Sequence, residues 1–456
     1  MHIFGEYPIG FVRRRTLPLL LIAGLLPCGH FLPGCAAPEQ TDWLGIDVRL
    51  ATPIAGSQPA SAPNAPIDGE VDFRLMAELG VNLLRVDLMD WSRVQPGPEG
   101  RYDFSAIDRL VRLADKANIE ITAVCSGVPA WAAANPPAKL PARDKSQAFV
   151  NFVRAFVERY GTGGVKPMPG LHRPIRAFEC FEAPEDTPTA EYAYWLKAFH
   201  DAVKGVSPKA IVVLGSLASP GLKDPTRPQG DYDTFFERFL AEVVLEGPSF
   251  PYFDVVGFQN YPRSFPGRPP FEHNVIYLRQ KMGARHIDRP IWLTAFGAAS
   301  NDPHARGDDR QAAELVRWAI HGRTLGLDRM YLHTLRDAPA GQAQKDSPAF
   351  GLVRAGGGGQ GPALKPAFQA LTILLGILKS QGHVTRRADG VYMLSGQEQP
   401  TYVVWSVPSY DPSPFLISGW WDIRTINGQR EVREGREIRP TDKPIFLRQT
   451  TSPFIR

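Results

Sequence analysis

Cysteine is scarce in this chain, with only four residues among 456. Two of them, Cys28 and Cys35, stand in a short N-terminal segment, which leaves Cys125 and Cys180 for the rest of the protein. Two cysteines are too few for a disulfide scaffold or a cysteine metal cluster. We expect Cys125 and Cys180 either as packed thiols or as one disulfide bridge.

The chain also has little excess charge. Its 51 Lys and Arg and 47 Asp and Glu residues give a formal net charge of +4, of which Arg13 to Arg15 and Glu6 contribute +2. No basic surface for nucleic acid is therefore implied. His, Asp and Glu at metal-ligand spacing are missing, and the Gly-rich stretch Ala355–Gly361 lacks the Lys-Ser/Thr of a phosphate-binding loop. We predict no metal, no cofactor and no nucleic-acid partner.

The first 35 residues have the layout of an export signal. Arg13 to Arg15 precede an apolar run from Leu17 to Leu26, and small residues then lead to Cys35. The apolar run is short for a membrane span. The sequence therefore predicts a signal peptide over residues 1–34 and an exported protein.

The residues around Cys35 indicate how the exported chain is held. Leu32-Pro33-Gly34-Cys35 resembles a bacterial lipobox, which implies cleavage before Cys35 and a lipid on the new N-terminus. Ordinary cleavage nearby and an uncleaved anchor are the alternatives. With lipidation, Ala36 after the cysteine, in place of Asp, implies the outer membrane of the bacterial envelope.

Short β-forming runs alternate with helical periodicity eight times along most of the chain. The predicted strands are Trp43–Leu50, Val81–Val86, Ile119–Val124, Ile175–Phe181, Ala210–Leu214, Phe253–Phe258, Pro290–Thr294 and Arg329–Thr334. The predicted helices are Asp68–Leu79, Phe104–Ala117, Lys145–Tyr160, Glu191–Val206, Tyr232–Leu245, His273–Met282, Asp309–Leu325 and Lys365–Leu378. Eight strand–helix units in succession predict an α/β fold, the closed parallel (β/α)8 or TIM barrel.

Beyond Gly382 the pattern changes to strand-like runs with no helix between them. The predicted strands are Val391–Ser395, Thr401–Val407, Phe415–Ser418 and Pro444–Arg448. The sequence therefore predicts a barrel domain over residues 35–382 and a small β-rich C-terminal domain over residues 383–456.

Polar and aromatic residues gather where the predicted barrel strands end. Besides Arg85 in the second strand, the motifs are Trp91, Gly100-Arg101-Tyr102-Asp103-Phe104, Val128-Pro129-Ala130-Trp131, Phe350-Gly351-Leu352 and Lys365-Pro366-Ala367-Phe368. As a set, spread over roughly residues 42–380, they resemble the clan-A glycoside hydrolases, in particular their xylosidase-like branch. The resemblance implies a TIM barrel with a carbohydrate groove at the C-terminal ends of its strands.

The resemblance also implies two catalytic glutamates, an acid/base at the end of strand four and a nucleophile at the end of strand seven. Where the family reads Trp-Glu-x-Trp-Asn-Glu-Pro, this chain reads Phe178-Glu179-Cys180-Phe181-Glu182-Ala183-Pro184, so Ala183 takes the acid/base position. Where the family reads Pro-Ile-Trp-x-Thr-Glu-Phe-Gly, it reads Pro290-Ile291-Trp292-Leu293-Thr294-Ala295-Phe296-Gly297, so Ala295 takes the nucleophile position. Alanine can neither donate a proton nor attack an anomeric carbon, so we expect a catalytically degenerate protein.

A relocated carboxylate is the alternative, with Glu182 as the first candidate. Side chains alternate between faces along a strand, so Glu182 cannot take the direction of residue 183 unless the strand end is bulged. We therefore interpret Glu182 as a polar groove residue and Glu179 as the partner of a barrel arginine. Arg85 matches the family arginine that bonds the nucleophile, and here we expect Asp87 or Glu179 to be its partner instead.

The groove itself remains a candidate for sugar binding, because aromatic faces stack on sugar rings and polar groups fix hydroxyls. At strand six the family's His-x-Tyr is replaced by Gln259-Asn260-Tyr261. The predicted substrate-binding residues are Arg85, Trp131, Glu179, Glu182, Gln259, Tyr261 and His333, with Trp91 and Arg336 as further candidates for the groove wall. The alternative for Trp91 and Trp131 is core packing, and for His333 a structural role at the barrel end.

Three functions are consistent with these residues. The first is an exported lipoprotein that binds a polysaccharide or oligosaccharide, or serves as a scaffold, in envelope polysaccharide metabolism. The second is an active O-glycosyl hydrolase that uses relocated carboxylates such as Glu182. The third is a protein-interaction platform with an as yet undefined protein partner. Fold alone does not choose among them.

Overall fold

The computed structural model describes residues 43–50, 69–136, 138–218, 232–244, 251–261, 271–301, 307–338, 348–354, 362–396, 398–408, 410–416 and 418–451. The predicted signal peptide, the lipidation site Cys35 and the Gly-rich stretch at 355–361 lie outside the described residues.

Eight parallel strands close into a barrel in sequence order, and the last pairs with the first. They are β1 (Leu44–Val48), β2 (Leu83–Asp90), β3 (Glu120–Ser126), β4 (Ala177–Cys180), β5 (Ile211–Leu217), β6 (Val255–Asn260), β7 (Ile291–Phe296) and β8 (Arg329–His333). The predicted TIM barrel is therefore confirmed. Its register pairs Asp47 on β1 with Arg85 on one side and with His333 on the other.

The described helices surround the barrel. They are α1 (Gly69–Leu79), α2 (Trp91–Val94), α3 (Ser105–Lys116), α4 (Ser146–Tyr160), α5 (Thr189–Val206), α6 (Tyr232–Val244), α7 (Phe271–Gly283), α8 (Asp308–Thr324) and α9 (Pro366–Leu378). In α4, Phe149, Phe152, Val153 and Phe156 recur at intervals of one helical turn and are fully buried. Each such phenylalanine contributes roughly 2 kcal/mol through the apolar surface it removes from water. Within the described ranges, none of these helices has the length and hydrophobicity needed to cross a membrane.

An antiparallel sheet follows the barrel, in agreement with the predicted β-rich C-terminal region. After a two-stranded pair, β9 (Val353–Arg354) and β10 (Ala363–Leu364), its strands are β11 (His383–Ala388), β12 (Val391–Ser395), β13 (Thr401–Val404), β14 (Trp420–Thr425), β15 (Arg430–Glu434) and β16 (Ile445–Thr450). The strand order is β11-β12-β13-β16-β14-β15. Its own small core includes Val391, Val404, Trp421 and Leu447.

One predicted strand of this region, Phe415–Ser418, is wrong. The chain forms a 3-10 helix at Ser413–Leu416 instead. Pro412 and Pro414 precede and enter this turn, and proline cannot donate a backbone hydrogen bond to a strand ladder. Leu416 is fully buried beneath the sheet, which explains why the segment has an apolar pattern.

Candidate active site

A chain of buried charged residues runs across the barrel through strands β4, β2, β1 and β8. Arg85 donates from Nε and Nη2 to Oε2 and Oε1 of Glu179, at 2.7 and 2.6 Å. Arg85 Nη1 donates to Oδ1 of Asp47 at 2.5 Å, and Oδ2 of Asp47 lies 2.9 Å from Nδ1 of His333. We call these four residues, Glu179, Arg85, Asp47 and His333, the buried network.

In the buried network, the positive charge of Arg85 is balanced by the carboxylates of Glu179 and Asp47. The four side chains are between 0 and 2% exposed. Burial lowers the pKa of Arg85, but Glu179 and Asp47 outweigh burial and hold this pKa above its ordinary value. Burial raises the pKa of Asp47, yet Arg49, Arg85 and the hydrogen bond with His333 hold it well below its usual range. Removing one partner would leave an uncompensated buried charge, which is strongly destabilising.

These contacts identify which of the predicted residues is the partner of Arg85. Of the two predicted candidates, Glu179 is confirmed, whereas Asp87 is wrong, because its Oδ1 accepts a hydrogen bond from the backbone N of Leu50 at 2.6 Å. Burial raises the pKa of Asp87 to about 6. Asp47, the second partner, is absent from the predicted site residues. The sequence does contain a signal for Asp47, because it is an acidic residue within the apolar first strand. A carboxylate buried there needs a partner.

The position matched to the nucleophile, Ala295, lies near the end of β7. Ala295 is fully buried in an apolar cluster with Tyr261, Ala299 and Phe350. The hydroxyl of the preceding Thr294 donates a hydrogen bond to the carbonyl oxygen of Phe258, at 2.8 Å. A carboxylate at residue 295 would therefore lose its hydration in apolar surroundings.

The position matched to the acid/base, Ala183, follows β4 in a tight turn. Ala183 has φ 46° and ψ 64°, and Phe181 has φ 52°, so both adopt the left-handed conformation. This conformation costs an L-residue about 1–2 kcal/mol. The turn is held because Ala183 N donates to Ser216 O at 2.9 Å and Lys139 Nζ donates to Ala183 O.

Glu182 stands between these two left-handed residues. Because β4 ends at Cys180, the strand alternation used to predict its direction does not apply. The Glu182 carboxylate forms an ion pair with Arg49 and lies 4.0 Å from Nη2 of Arg85. Its side chain is 22% exposed, so Glu182 is accessible and is held by cations that favour its charged form.

Glu185 is a further acidic residue of this region that is not among the predicted site residues. It lies in the 3-10 turn Pro184–Asp186, and its Oε1 accepts a hydrogen bond from Ala218 N at 2.6 Å. Oε2 is buried without a hydrogen-bond partner among the described residues. Burial raises the pKa of Glu185 to about 7. Its sequence context gives no clue to this burial.

The two tryptophans differ in burial. Trp91 is 1% exposed and its Nε1 donates to Oε1 of Gln95 at 2.9 Å, so it belongs to the core. Trp131 packs edge-on against Trp91 with ring centroids 5.2 Å apart, and it remains half-buried. Its ring therefore keeps some exposed surface after strand β3.

The remaining residues predicted to line a groove differ in their exposure and in the partners they already have. Gln259, the register partner of Ala295, is half-buried, and its amide forms no hydrogen bond within the described part of the chain. Tyr261 is 7% exposed and packs against His333. Arg336 is directed away from the groove into an ion pair with Asp72 of α1. Arg85 and Glu179 lie below the surface and bind each other.

Cys125 and Cys180 are buried free thiols, which is the first of the two predicted alternatives. Burial raises the pKa of both thiols, so neither has the character of a reactive thiolate. Over the residues that the structure describes, no group of three or more His, Cys, Asp and Glu side chains is arranged to hold a metal ion.

Part of the barrel is similar in sequence to a glycoside hydrolase family model. Residues 58–154 match the family model described as Beta-galactosidase (Glyco_hydro_42). Beta-galactosidase LacZ of Heyndrickxia coagulans is 31% identical over 81 residues, 17% of this chain and 12% of the relative. Beta-galactosidase BbgII of Bifidobacterium bifidum is 37% identical over 62 residues, 13% and 9% of the two chains. The chain thus spans about a tenth of the length of these curated relatives.

Structural comparison extends the likeness to nearly the whole described fold. A family 39 glycoside hydrolase from Bacteroides cellulosilyticus WH2 is 17% identical and has a TM-score of 0.65, covering 90% of this chain and 82% of its own. A glucosidase from Croceicoccus marinus is 18% identical with a TM-score of 0.55, covering 80% and 74%. The chain therefore shares the fold of these solved glycosidase structures. This fold is an eight-stranded barrel, part of which is similar to a glycoside hydrolase family model, followed by a C-terminal β region.

Proposed function

We propose that this protein binds a polysaccharide or oligosaccharide in the barrel groove without hydrolysing it by the two-carboxylate mechanism. The observation that carries the proposal is alanine at both positions matched to the catalytic glutamates. Ala295 is enclosed in an apolar cluster, and the carbonyl of Ala183 is engaged by Lys139. With no carboxyl group at either position, the two-step displacement of glycosidases has no acid and no nucleophile.

Sugar binding is supported by groups that remain available at the strand ends. Trp131 keeps part of its ring exposed, and the amide of Gln259 has its hydrogen-bonding capacity unused among the described residues. The Glu182 side chain, after the end of β4, is 22% exposed. A partly exposed aromatic ring with a few polar groups is the usual composition of a saccharide site.

The proposed place of action rests on the sequence alone. Export over residues 1–34 and a lipid on Cys35 would anchor the barrel in the bacterial envelope, with Ala36 favouring the outer membrane. A glycan-binding barrel held there suits a binding or scaffold role in envelope polysaccharide metabolism. A protein partner is compatible with the same anchoring.

The test is glycan release and glycan binding by the exported protein, beside Ala183→Glu and the double variant Ala183→Glu, Ala295→Glu. We expect binding of at least one bacterial polysaccharide or oligosaccharide and no release of sugar. Release by the unaltered protein would overturn the proposal. Absence of binding across the panel would overturn it in favour of a protein-interaction platform, and release by the double variant alone would name the substrate class.

An active O-glycosyl hydrolase with a relocated carboxylate is the second candidate. It is favoured by the exposure of Glu182 at the end of β4 and by its position 4.0 Å from Arg85. Arg49 and Arg85 favour the charged carboxylate, which suits a nucleophile and not a proton donor. This candidate predicts sugar release by the unaltered protein that is lost in Glu182→Gln, with Glu191→Gln on the exposed surface of α5 as the matched control.

A further inference from the structure

The contact between Asp47 and His333 determines the hydrogen-bonding role of His333 Nε2, at the C-terminal end of the barrel strands. The two residues are register partners on β1 and β8, and Oδ2 of Asp47 lies 2.9 Å from Nδ1 of His333. His333 is the last residue of β8, so it stands at the end of the barrel where TIM-barrel proteins bind their ligands.

Asp47 determines which nitrogen of His333 carries the proton. Arg85, which donates to Oδ1 at 2.5 Å, and Arg49 keep Asp47 ionised despite its burial. An ionised carboxylate can only accept hydrogen bonds, so Nδ1 of His333 is the donor. In the neutral ring Nε2 then holds a lone pair and acts as an acceptor.

Aromatic rings surround His333 at the end of β8. Tyr261 and Phe350 pack against its ring with centroid distances of 5.8 and 5.6 Å. Neither these contacts nor any other hydrogen bond of the described residues uses Nε2. An acceptor that is held in a fixed orientation, and that the described residues leave unused, is suited to a donor group of a ligand.

We propose that Nε2 of His333 accepts a hydrogen bond from a sugar hydroxyl at the base of the groove, and that this contact selects an uncharged sugar with a free hydroxyl there. The inference rests on the proposed sugar binding and specifies the ligand. A sugar carboxylate has no proton to donate at neutral pH and would approach an acceptor backed by the Asp47 anion. A methylated or acetylated hydroxyl has lost its donor as well.

The experiment measures the dissociation constants of the exported protein for neutral and acidic sugars. The neutral probes are β-1,4-linked xylo-, gluco- and galacto-oligosaccharides, and the acidic probe is oligogalacturonate. We expect at least one neutral probe to bind and oligogalacturonate to bind weakly.

Two variants separate this contact from a structural role of His333. His333→Gln keeps a hydrogen-bond acceptor, so its affinity for the neutral probe should stay close to that of the unaltered protein. His333→Phe keeps the ring packing but has no acceptor, so it should bind this probe about tenfold more weakly, as for one hydrogen bond of about 1.4 kcal/mol. Glu185→Gln is the matched control, because it alters a different buried polar group and should bind the probe as the unaltered protein does.

The outcomes distinguish this inference from the proposed function. If His333→Phe binds a neutral probe as tightly as the unaltered protein, or if His333→Gln loses as much affinity as His333→Phe, the role of His333 is overturned while sugar binding stands. Preference for oligogalacturonate would overturn the inferred ligand. If no glycan binds, the proposed function fails and this inference fails with it.

Discussion

The guanidinium of Arg85 binds both carboxylate oxygens of Glu179, with Nε 2.7 Å from Oε2 and Nη2 2.6 Å from Oε1. Neither side chain has any exposed surface. The family resemblance predicts a nucleophile as the partner of this arginine, at the position where the chain has Ala295. In the structure the partners of Arg85 are Glu179 and Asp47.

Glu179→Gln is expected to lower the free energy of unfolding by about 3 kcal/mol or more. The substitution keeps the size of the side chain but leaves the buried Arg85 with only Asp47 as a charge partner. Urea unfolding followed by circular dichroism measures this loss.

The matched control for this prediction is Glu191→Gln. Glu191 also pairs with an arginine, Arg143 at 2.8 Å, but this pair is exposed and should contribute less than about 1 kcal/mol. Equal losses in the two variants would contradict the importance of burial.

Ala295→Glu is expected to destabilise the barrel by several kcal/mol. The new carboxylate would lie in the apolar cluster of Tyr261, Ala299 and Phe350, where it either loses hydration or takes up a proton. Ala183→Glu should have a much smaller effect, because residue 183 is only half-buried. A comparison of the two melting temperatures tests this, and a similar shift in both would show that residue 295 has access to water.

Ala183→Gly is expected to stabilise the protein by roughly 0.5–1 kcal/mol. Glycine adopts the left-handed conformation of residue 183 without the penalty of a Cβ atom, although it also gains freedom in the unfolded chain. Ala198→Gly, within helix α5, should instead destabilise by about 1 kcal/mol. Destabilisation by both substitutions, measured by chemical denaturation, would argue against strain at Ala183.

Glu185 is expected to make stability depend on pH. Burial raises its pKa from 4.5 to about 7 in the folded protein, so the folded state binds more protons than the unfolded state between these values. The free energy of unfolding therefore falls as pH rises from 4.5 to 7, by up to an amount on the order of 3 kcal/mol. Glu185→Gln should remove this part of the decline, as measured by urea unfolding at pH 5 and pH 8. An unchanged difference between the two pH values would disprove the assignment.

The barrel could be predicted because the sequence pattern of each of its strands and helices is local. Each strand and helix is specified by the spacing of apolar residues within one segment, as in α4, whose buried phenylalanines recur with the helical period. Three strands of the C-terminal sheet, β11, β14 and β15, escaped prediction. Of these, β11 and β15 lie at the two edges of the sheet and are largely exposed, so their residues carry little apolar alternation.

The candidate site was predictable only in part. The alanines at residues 183 and 295 can be read from motifs that lie within a few residues of each, and so can the accessible Glu182. The pairing of Asp47 with Arg85 and His333 could not, because these contacts join residues 38 and 286 positions apart. The burial of Glu185 likewise depends on its contact with Ala218 at the end of β5.

The sequence by itself determined the barrel, the C-terminal β region and the absence of a carboxylate at both matched catalytic positions, because periodicity and short motifs are local properties of the chain. Only the tertiary structure decided how the site is completed. Barrel closure brings β1, β2, β4 and β8 together, and there the desolvation of each charged group had to be offset by a neighbour from a distant strand. This physical requirement made Asp47 the partner of both Arg85 and His333.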